Sequence, residues 1–93
     1  LTAWDGDRLV GLIRVLDDSE LLAQIHYVLV HPDYQGQSIA GTLVERAKEK
    51  YKNYLYIEGM PENEANVPFY EKHGFTRMEH GAAIQICNYA DKR

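Results

Sequence analysis

The sequence predicts an α/β (α+β) fold in which a single mixed sheet carries helices packed on it. Three observations predict it: apolar runs with strand-like alternation before residue 31, a helical period after residue 38, and turn residues between these segments. The predicted order is strand, strand, strand, helix, strand, helix, strand, strand. The chain has 93 residues, of which 45% are hydrophobic and 26% charged, so we expect one globular domain over residues 1–93.

The first third of the chain predicts a hairpin and a third strand. An Asp-Gly turn at residues 5–7 separates a short strand through Trp4 from a strand over residues 9–16. Residues 21–30, LLAQIHYVLV, are rich in Ile, Val and Tyr and predict the next strand. Strict alternation along it predicts two faces, Gln24, His26 and Val28 on one and Ile25, Tyr27 and Leu29 on the other.

The rest of the chain changes to a helical period. A long helix is predicted from the apolar residues that recur every three or four positions, Ile39, Leu43, Val44, Ala47 and Tyr51. A short strand over residues 54–58 follows. Residues 67–74, VPFYEKHG, predict a brief helix with Asn66 as its N-cap. The tail, residues 75–89, predicts a final hairpin that turns near residues 80–81.

The composition disfavours several classes of function. No apolar run approaches the ~20 residues that a membrane span needs, and the net charge of -4 disfavours a nucleic-acid partner. The single cysteine, Cys87, rules out an internal disulfide and fits a reducing cytoplasm. The histidines lack ligand-like spacing, so no metal is expected. We therefore expect a cytoplasmic protein without nucleic-acid or membrane partners.

The segment QGQSIAG, residues 35–41, places small residues where the long helix begins. It has neither the G-x-G-x-x-G spacing of a dinucleotide fingerprint nor the Gly-Lys-Ser/Thr of a P-loop. Gly41 inside a helix costs ~1 kcal/mol relative to alanine, which a close approach of another group to the backbone would explain. The unpaired N–H groups of the helix start would then form an anion site. An ordinary turn with Ser38 as N-cap explains the segment equally well.

Two blocks of the chain resemble the GCN5-related N-acetyltransferase (GNAT) superfamily. VLVHPDYQGQSIAGTLVERA, residues 28–47, is similar to its acetyl-CoA-binding motif, with Gln35 at the first position of Gln/Arg-x-x-Gly-x-Gly/Ala and Ala40 at the last. NVPFYEKHGF, residues 66–75, resembles the second hallmark, a short helix that ends in Tyr-Glu-Lys-x-Gly-Phe. The resemblance covers roughly residues 2–89.

The sequence departs from the family pattern at two points. Ser38 replaces the central glycine of the motif. A serine can keep helical dihedrals there and offer its N–H and hydroxyl to a phosphate, but its Cβ crowds the approach, so we expect weakened rather than abolished cofactor binding. Family domains usually begin with another strand and two helices, and nothing before Leu1 supplies them. We therefore expect an N-terminally short member of the family.

The resemblance implies the GNAT fold, with a mostly antiparallel sheet, and acetyl-CoA as co-substrate. It implies that the diphosphate lies over the N–H groups of residues 35–41 and that the pantetheine arm follows the backbone of Leu29 and Val30, where two strands separate. The side chains of these two residues are expected in the core. The cofactor-binding residues that the resemblance implies are Leu29, Val30, Gln35, Gly36, Gln37, Ser38, Ile39, Ala40, Gly41, Asn63, Asn66, Phe69 and Tyr70.

Three residues are candidates for acid and base catalysis. The resemblance implies Tyr70 as the general acid, because a phenol with a pKa of ~10 is protonated at neutral pH and can donate to the departing thiolate. As general base we predict His26, since imidazole exchanges a proton near neutral pH, with Glu58 as its rival. The sequence is also compatible with a purely structural role for each of these three residues. We expect His31 and His73 to be structural.

We therefore expect an N-acetyltransferase that moves the acetyl group of acetyl-CoA to a primary amine by direct transfer in a ternary complex. Its oxyanion would be held by a backbone N–H near Leu29. The acceptor would be a small-molecule or peptide amine, and the family allows a homodimer. The alternative is a non-catalytic acyl-CoA-binding or regulatory module with a degenerate site.

Overall fold

The computed structural model describes residues 1–19, 21–61 and 64–88, which form strands, helices and short 3-10 turns. In chain order the elements are β1 (Thr2–Asp5), β2 (Arg8–Asp17), β3 (Leu22–Val30), a 3-10 turn (Pro32–Tyr34), α1 (Ile39–Lys50), β4 (Tyr56–Gly59), a second 3-10 turn (Glu64–Asn66) and α2 (Val67–Lys72). The first six predicted elements are therefore confirmed, with strand ends that differ by one or two residues.

The strands form one sheet in the order β1-β2-β3-β4. β1 pairs with β2, and β2 with β3, in the antiparallel direction, whereas β3 and β4 are parallel. The connection between the parallel strands passes through α1, because parallel neighbours need a crossover. The predicted mixed, mostly antiparallel sheet with helices packed on it is confirmed.

The core lies between the sheet and one face of α1. Leu43, Val44 and Ala47 of α1 are buried against Ile13 of β2 and Ile25 of β3. The half-buried hydrophobic residues packed around this cluster are Ala3, Val15, Val28, Ile39, Ile57, Phe69, Tyr70 and Phe75. Because two of these come from α2, the same core also fixes the second helix.

β3 contains a β-bulge at His26. Arg14 of β2 lies opposite Tyr27, but the next residue, Val15, lies opposite Ile25, so His26 has no residue across from it on β2. An extra residue in one strand bends that strand and shifts the alternation of side chains beyond it.

The bulge makes the predicted faces of β3 wrong. Ile25 is buried, but Tyr27 and Leu29, which strict alternation puts on the same face, are 46% and 53% exposed. Val28 packs against the core instead. The side chains of β3 that are exposed away from the core are Gln24, His26, Tyr27 and Leu29.

The final hairpin predicted for residues 75–89 is wrong over its described part. Residues 75–88 contain a turn at residues 79–80 but no strand. Ile84 and Ile86, whose burial would stabilise such a strand, are 94% and 90% exposed. A hairpin gains stability only when its apolar side chains pack on another surface, and at this exposure these two do not. Tyr89 lies outside the described residues.

Gly11 of β2 sets how closely α1 approaches the sheet. A Cβ atom at this position would stand 3.0 Å from Ile39 Cγ2, 3.3 Å from the Leu29 carbonyl oxygen and 3.4 Å from Leu43 Cδ1. A side chain there would therefore push the first turns of α1 away from the sheet.

Gly11→Ala should lower the free energy of unfolding by about 1–3 kcal/mol, because overpacking forces the start of α1 outward. Chemical denaturation in urea measures the change. Gly59→Ala is the matched control on another strand, since a Cβ atom there would meet Ile25 only at 3.8 Å, an ordinary contact. Equal losses in the two variants would contradict this explanation.

Candidate active site

α1 begins at a residue in the left-handed backbone conformation. Ser38 is the N-cap of α1, with φ 63° and ψ 20°, and its side chain makes no capping hydrogen bond. Ser38 therefore does not adopt the helical dihedrals that a serine could keep at this position. The left-handed conformation costs a non-glycine residue about 1–2 kcal/mol. Gly36, two residues earlier, is also left-handed, with φ 83°. The turn thus favours glycine at two positions, and serine occupies one of them.

This turn leaves three N–H groups of α1 available to a ligand. The N–H groups of Ile39, Ala40 and Gly41 have no acceptor within the helix, because its first bond runs from Thr42 N–H to Ser38 O at 3.0 Å. A left-handed residue followed by right-handed ones makes successive N–H groups converge, and the helix dipole adds positive potential. The first turn of α1 carries no acidic side chain. The segment can therefore bind an anion through its backbone.

A cleft of about 370 Å³ opens at the start of α1. Its walls come from β3, the turn that follows β3, the first turn of α1, and α2. The lining residues are Val28, Val30, Tyr34, Gln35, Gly36, Ser38, Ile39, Ala40, Gly41 and Phe69. This volume is typical of small-molecule pockets, and the combination of apolar walls with a few polar groups is typical too.

The cleft brings together most of the residues predicted to bind the cofactor. Those that do not line it are Leu29, Gln37, Asn66 and Tyr70, while Asn63 lies outside the described residues. Val28 and Tyr34 also line the cleft and were not predicted from the sequence. Val28 turns toward the cleft because of the bulge, and the only available signal for Tyr34 was the turn that Pro32 begins.

β3 presents a backbone edge to the cleft that β4 does not cover. The two strands pair from Leu22, opposite Tyr56, to Ile25, opposite Gly59. β3 then continues to Val30, and among the described residues no strand pairs with it on that side. The separation of these strands leaves backbone donors and acceptors for a ligand.

Hydrogen bonding to β2 decides which groups of β3 face this open edge. His31 N–H donates to Val10 O, on the β2 side, at 2.7 Å. Because main-chain groups alternate in direction along a strand, those of Leu29 also point toward β2. The main-chain groups of Val28 and Val30 therefore point to the open edge.

Leu29 and Val30 thus differ in their surroundings. The side chain of Leu29 is exposed, so the expectation that it belongs to the core is wrong, because the bulge has turned it outward. The carbonyl oxygen of Val30 accepts a hydrogen bond from Gln35 Nε2 at 3.3 Å, which is consistent with the outward direction of this group.

Tyr70 lies on α2, one residue after the cleft residue Phe69. Its ring packs edge-on against Phe69, with 5.1 Å between centroids, and against Phe75, with 5.6 Å. Burial raises the pKa of the Tyr70 phenol above its usual 10.0, so the hydroxyl is protonated at neutral pH. Asn66 occupies the predicted N-cap position of α2, but its side chain makes no capping hydrogen bond.

The two predicted bases lie on the face of the sheet that is turned away from α1. Arg14 Nη1 stands 2.7 Å from His26 Nδ1. Since arginine can only donate, Nδ1 accepts and the proton of the neutral ring resides on Nε2. Glu58 is half-buried on β4, opposite Gln24. The pairing between β3 and β4 ends at Ile25, and His26 is the next residue of β3. His26 and Glu58 therefore both lie next to the point where β3 and β4 separate.

His31 and His73 make structural contacts, as expected. His31 Nδ1 accepts from the N–H of Asp33 at 3.1 Å and so caps the turn Pro32–Tyr34. His73 follows α2 as its C-cap, and its Nδ1 lies 2.6 Å from Glu45 Oε2 on α1.

Residues 1–19, 21–61 and 64–88 contain no group of three or more His, Cys, Asp or Glu side chains placed to hold a metal ion. No helix among them has the length and apolar character needed to cross a membrane.

Residues 1–75 match the acetyltransferase (GNAT) family, so the chain belongs to this family. It is 35% identical over 85 residues to the mycothiol acetyltransferase of Corynebacterium efficiens, an alignment that covers 85% of this chain and 28% of that protein. The chain therefore spans little more than a quarter of the length of that relative.

The fold agrees with the family. The structure of a GNAT family acetyltransferase from Streptococcus pneumoniae superposes with a TM-score of 0.81 at 32% identity, covering 94% of this chain and 69% of that one. A GNAT family acetyltransferase from Elizabethkingia anophelis, whose structure contains acetyl-CoA, superposes with a TM-score of 0.72 at 22% identity, covering 84% of this chain and 54% of that one.

Ser38→Gly should raise the free energy of unfolding by up to about 1 kcal/mol, because glycine adopts the left-handed conformation without steric cost. It should also tighten CoA binding, since the Cβ atom leaves the approach to the N–H groups. Ser19→Gly is the matched control, because Ser19 is also left-handed, with φ 75°, but lies outside the cleft. Urea denaturation and calorimetric titration with CoA measure the two effects. Equal changes in CoA affinity for both variants would show that Ser38 does not crowd the site.

Proposed function

We propose that this chain is a catalytic domain that transfers the acetyl group of acetyl-CoA directly to a primary amine. One observation carries the proposal: the N–H groups of Ile39, Ala40 and Gly41 and the open edge of β3 meet in a single cleft. A diphosphate needs converging donors, and an extended chain with amide groups needs a free strand edge. Coenzyme A contains both of these parts.

The residues of the cleft fit acetyl-CoA. A Cβ atom on Gly36 would meet no atom within 4 Å, so the turn is open to a ligand. The diphosphate would accept from the N–H groups that begin α1, and the pantetheine amides would pair with the main chain of Val28 and Val30. Ile39 and Phe69 would give the arm apolar walls. When bound, acetyl-CoA supplies an activated thioester carbonyl. Acetyl-CoA in the Elizabethkingia anophelis structure, which shares the fold, supports this choice.

In the proposed reaction the amine nitrogen forms a bond to the thioester carbonyl carbon, and the carbon–sulfur bond then breaks. We assign the oxyanion to the N–H of Val28, which points to the open edge, rather than to that of Leu29, which points toward β2. Tyr70, whose raised pKa keeps its phenol protonated, would donate its proton to the departing thiolate.

The proton lost by the amine would pass to a base where β3 and β4 part. His26 can accept it at Nδ1 only if the Arg14 guanidinium moves away. The carboxylate of Glu58 has lone pairs that need no such movement, so we favour Glu58. Loss of the acidic limb of the pH profile of kcat/KM in Glu58→Gln, but not in His26→Gln, would support this choice, and the reverse would contradict it.

The direct test is to incubate the protein with acetyl-CoA and a panel of amines while free thiol is measured. We expect amine-dependent release of CoA together with acetylated amine. Binding of CoA without thiol release would favour the second candidate, a non-catalytic acyl-CoA-binding module. The specific observations that favour this candidate are the serine at a position that favours glycine and the Arg14 contact on His26. No thermal shift with CoA would contradict both candidates.

Tyr70→Phe should lower kcat about 100-fold or more while leaving CoA affinity unchanged, because it removes the proposed proton donor and keeps the ring. The wild-type rate should fall only at a pH above 10, as the raised pKa of Tyr70 is crossed. Tyr54→Phe is the control, since that hydroxyl bonds Asp17 at 3.3 Å, outside the cleft. An unchanged kcat in Tyr70→Phe near neutral pH would exclude Tyr70 as the acid.

A further inference from the structure

His73 joins α2 to α1 through both its side chain and its backbone. Its Nδ1–H donates to Glu45 Oε2 at 2.6 Å, and its carbonyl oxygen accepts from Lys48 Nζ at 2.6 Å. The Lys48 ammonium also lies 3.3 Å from Glu45 Oε1. The side chain of His73 is only 17% exposed. Glu45, Lys48 and His73 therefore form one connected interhelix network.

The interhelix network reaches the cleft at two points. A Cβ atom on Gly41, one helical turn before Glu45, would stand 3.1 Å from both Cε1 and Nε2 of the His73 ring. The same ring lies against Phe69, with 4.9 Å between centroids. Gly41 and Phe69 both line the cleft, so the imidazole separates its α1 wall from its α2 wall. The close approach that explains a glycine at position 41 is therefore made by His73.

The charges around the ring favour this contact at neutral pH. Among the described residues, the charged groups that contact His73 are Glu45 and Lys48, both from α1. The hydrogen bond from His73, and then the nearby Lys48, lower the pKa of the Glu45 carboxyl below its usual 4.5. Glu45 is therefore ionised at neutral pH. Its contribution to stability is lost only as the pH falls from 4.5 through the lowered folded-state pKa.

We propose that His73 is a positioning residue that sets the width of the CoA cleft. Through the interhelix network it holds Phe69 on α2 at a fixed distance from Gly41 on α1. The inference rests on the proposed function. His73 stands at x, the variable position of the motif Tyr-Glu-Lys-x-Gly-Phe, and the inference assigns a positioning role to that residue.

Calorimetric titration with CoA tests the proposal. His73→Ala and Glu45→Ala should each weaken binding about fivefold, and the double variant should be no weaker than His73→Ala alone, because Glu45 acts on the cleft through the His73 ring. His73→Gln keeps a donor for Glu45 and should restore affinity to within about twofold of the wild type. Glu49→Ala is the control on the same helix, because it breaks only the exposed pair with Lys52 at 2.9 Å.

Steady-state kinetics add a readout that general destabilisation would not give. In His73→Ala the KM for acetyl-CoA should rise about fivefold while kcat changes by less than about twofold, since the contact affects binding rather than proton transfer. If His73→Ala does not fold, Glu45→Ala gives the same comparison from a half-exposed position.

Three results would overturn the proposal. The first is unchanged affinity in His73→Ala and Glu45→Ala, and the second is an equal loss in His73→Ala and His73→Gln. If the wild type does not bind CoA, the proposed function fails. Amide hydrogen exchange of the ligand-free protein then tests whether His73 holds α2 against α1. Faster exchange in α2 of His73→Ala, reversed in His73→Gln, would support the interhelix contact, whereas unchanged exchange would be the third contrary result.

Discussion

The structure depends on one backbone constraint at the start of α1: the helix must pack tightly on the sheet while its first N–H groups stay open. Gly11 allows the tight packing. The left-handed conformation of Ser38 turns the chain into α1 in a direction that leaves the first N–H groups of the helix accessible. The serine costs about 1–2 kcal/mol in this conformation. Burial of a single Leu or Val side chain contributes about 1.5–3 kcal/mol, and α1 buries Leu43 and Val44. The core therefore outweighs the strain that the site requires.

The bulge at His26 gives β3 two parts with different functions. Before it, the strand pairs with β4 and buries Ile25 between the sheet and α1. Beyond it, β3 still pairs with β2, but among the described residues no strand pairs with its other edge, and Val28 supplies both an apolar wall and main-chain groups there. The inserted residue thus lies between a core segment of β3 and a segment that forms one side of the cleft. The other side comes from the helix start, so the cleft exists only where these two elements meet.

Much of the fold could be predicted from the sequence, because strand alternation and helical spacing are local signals. The small residues at positions 35–41 also predicted a helix start whose N–H groups stay accessible, and this segment does line the cleft. The bulge was not predictable, because it is defined by pairing with β2, which no local pattern reveals. The same holds for the left-handed conformation of Ser38, for which serine gives no signal. Residues 75–88 show the opposite error: their composition favours strands, but nothing buries their apolar side chains.

The contacts that hold the cleft together were the least predictable. The glycine at position 41 suggested a close approach, and the sequence favoured a phosphate as the approaching group. The structure shows that the His73 ring, from a residue 32 positions later, makes that approach. Such a contact joins two helices whose relative placement depends on the whole core, so it is visible only in three dimensions. It also ties the second hallmark of the family to the first.

A crystal structure of the complex with coenzyme A tests the central claim most directly. Diphosphate oxygens should lie within hydrogen-bond distance, about 3 Å, of the main-chain nitrogens of Ile39, Ala40 and Gly41. A diphosphate bound elsewhere, or protein atoms occupying the start of α1 in the complex, would contradict the assignment of this cleft to the cofactor.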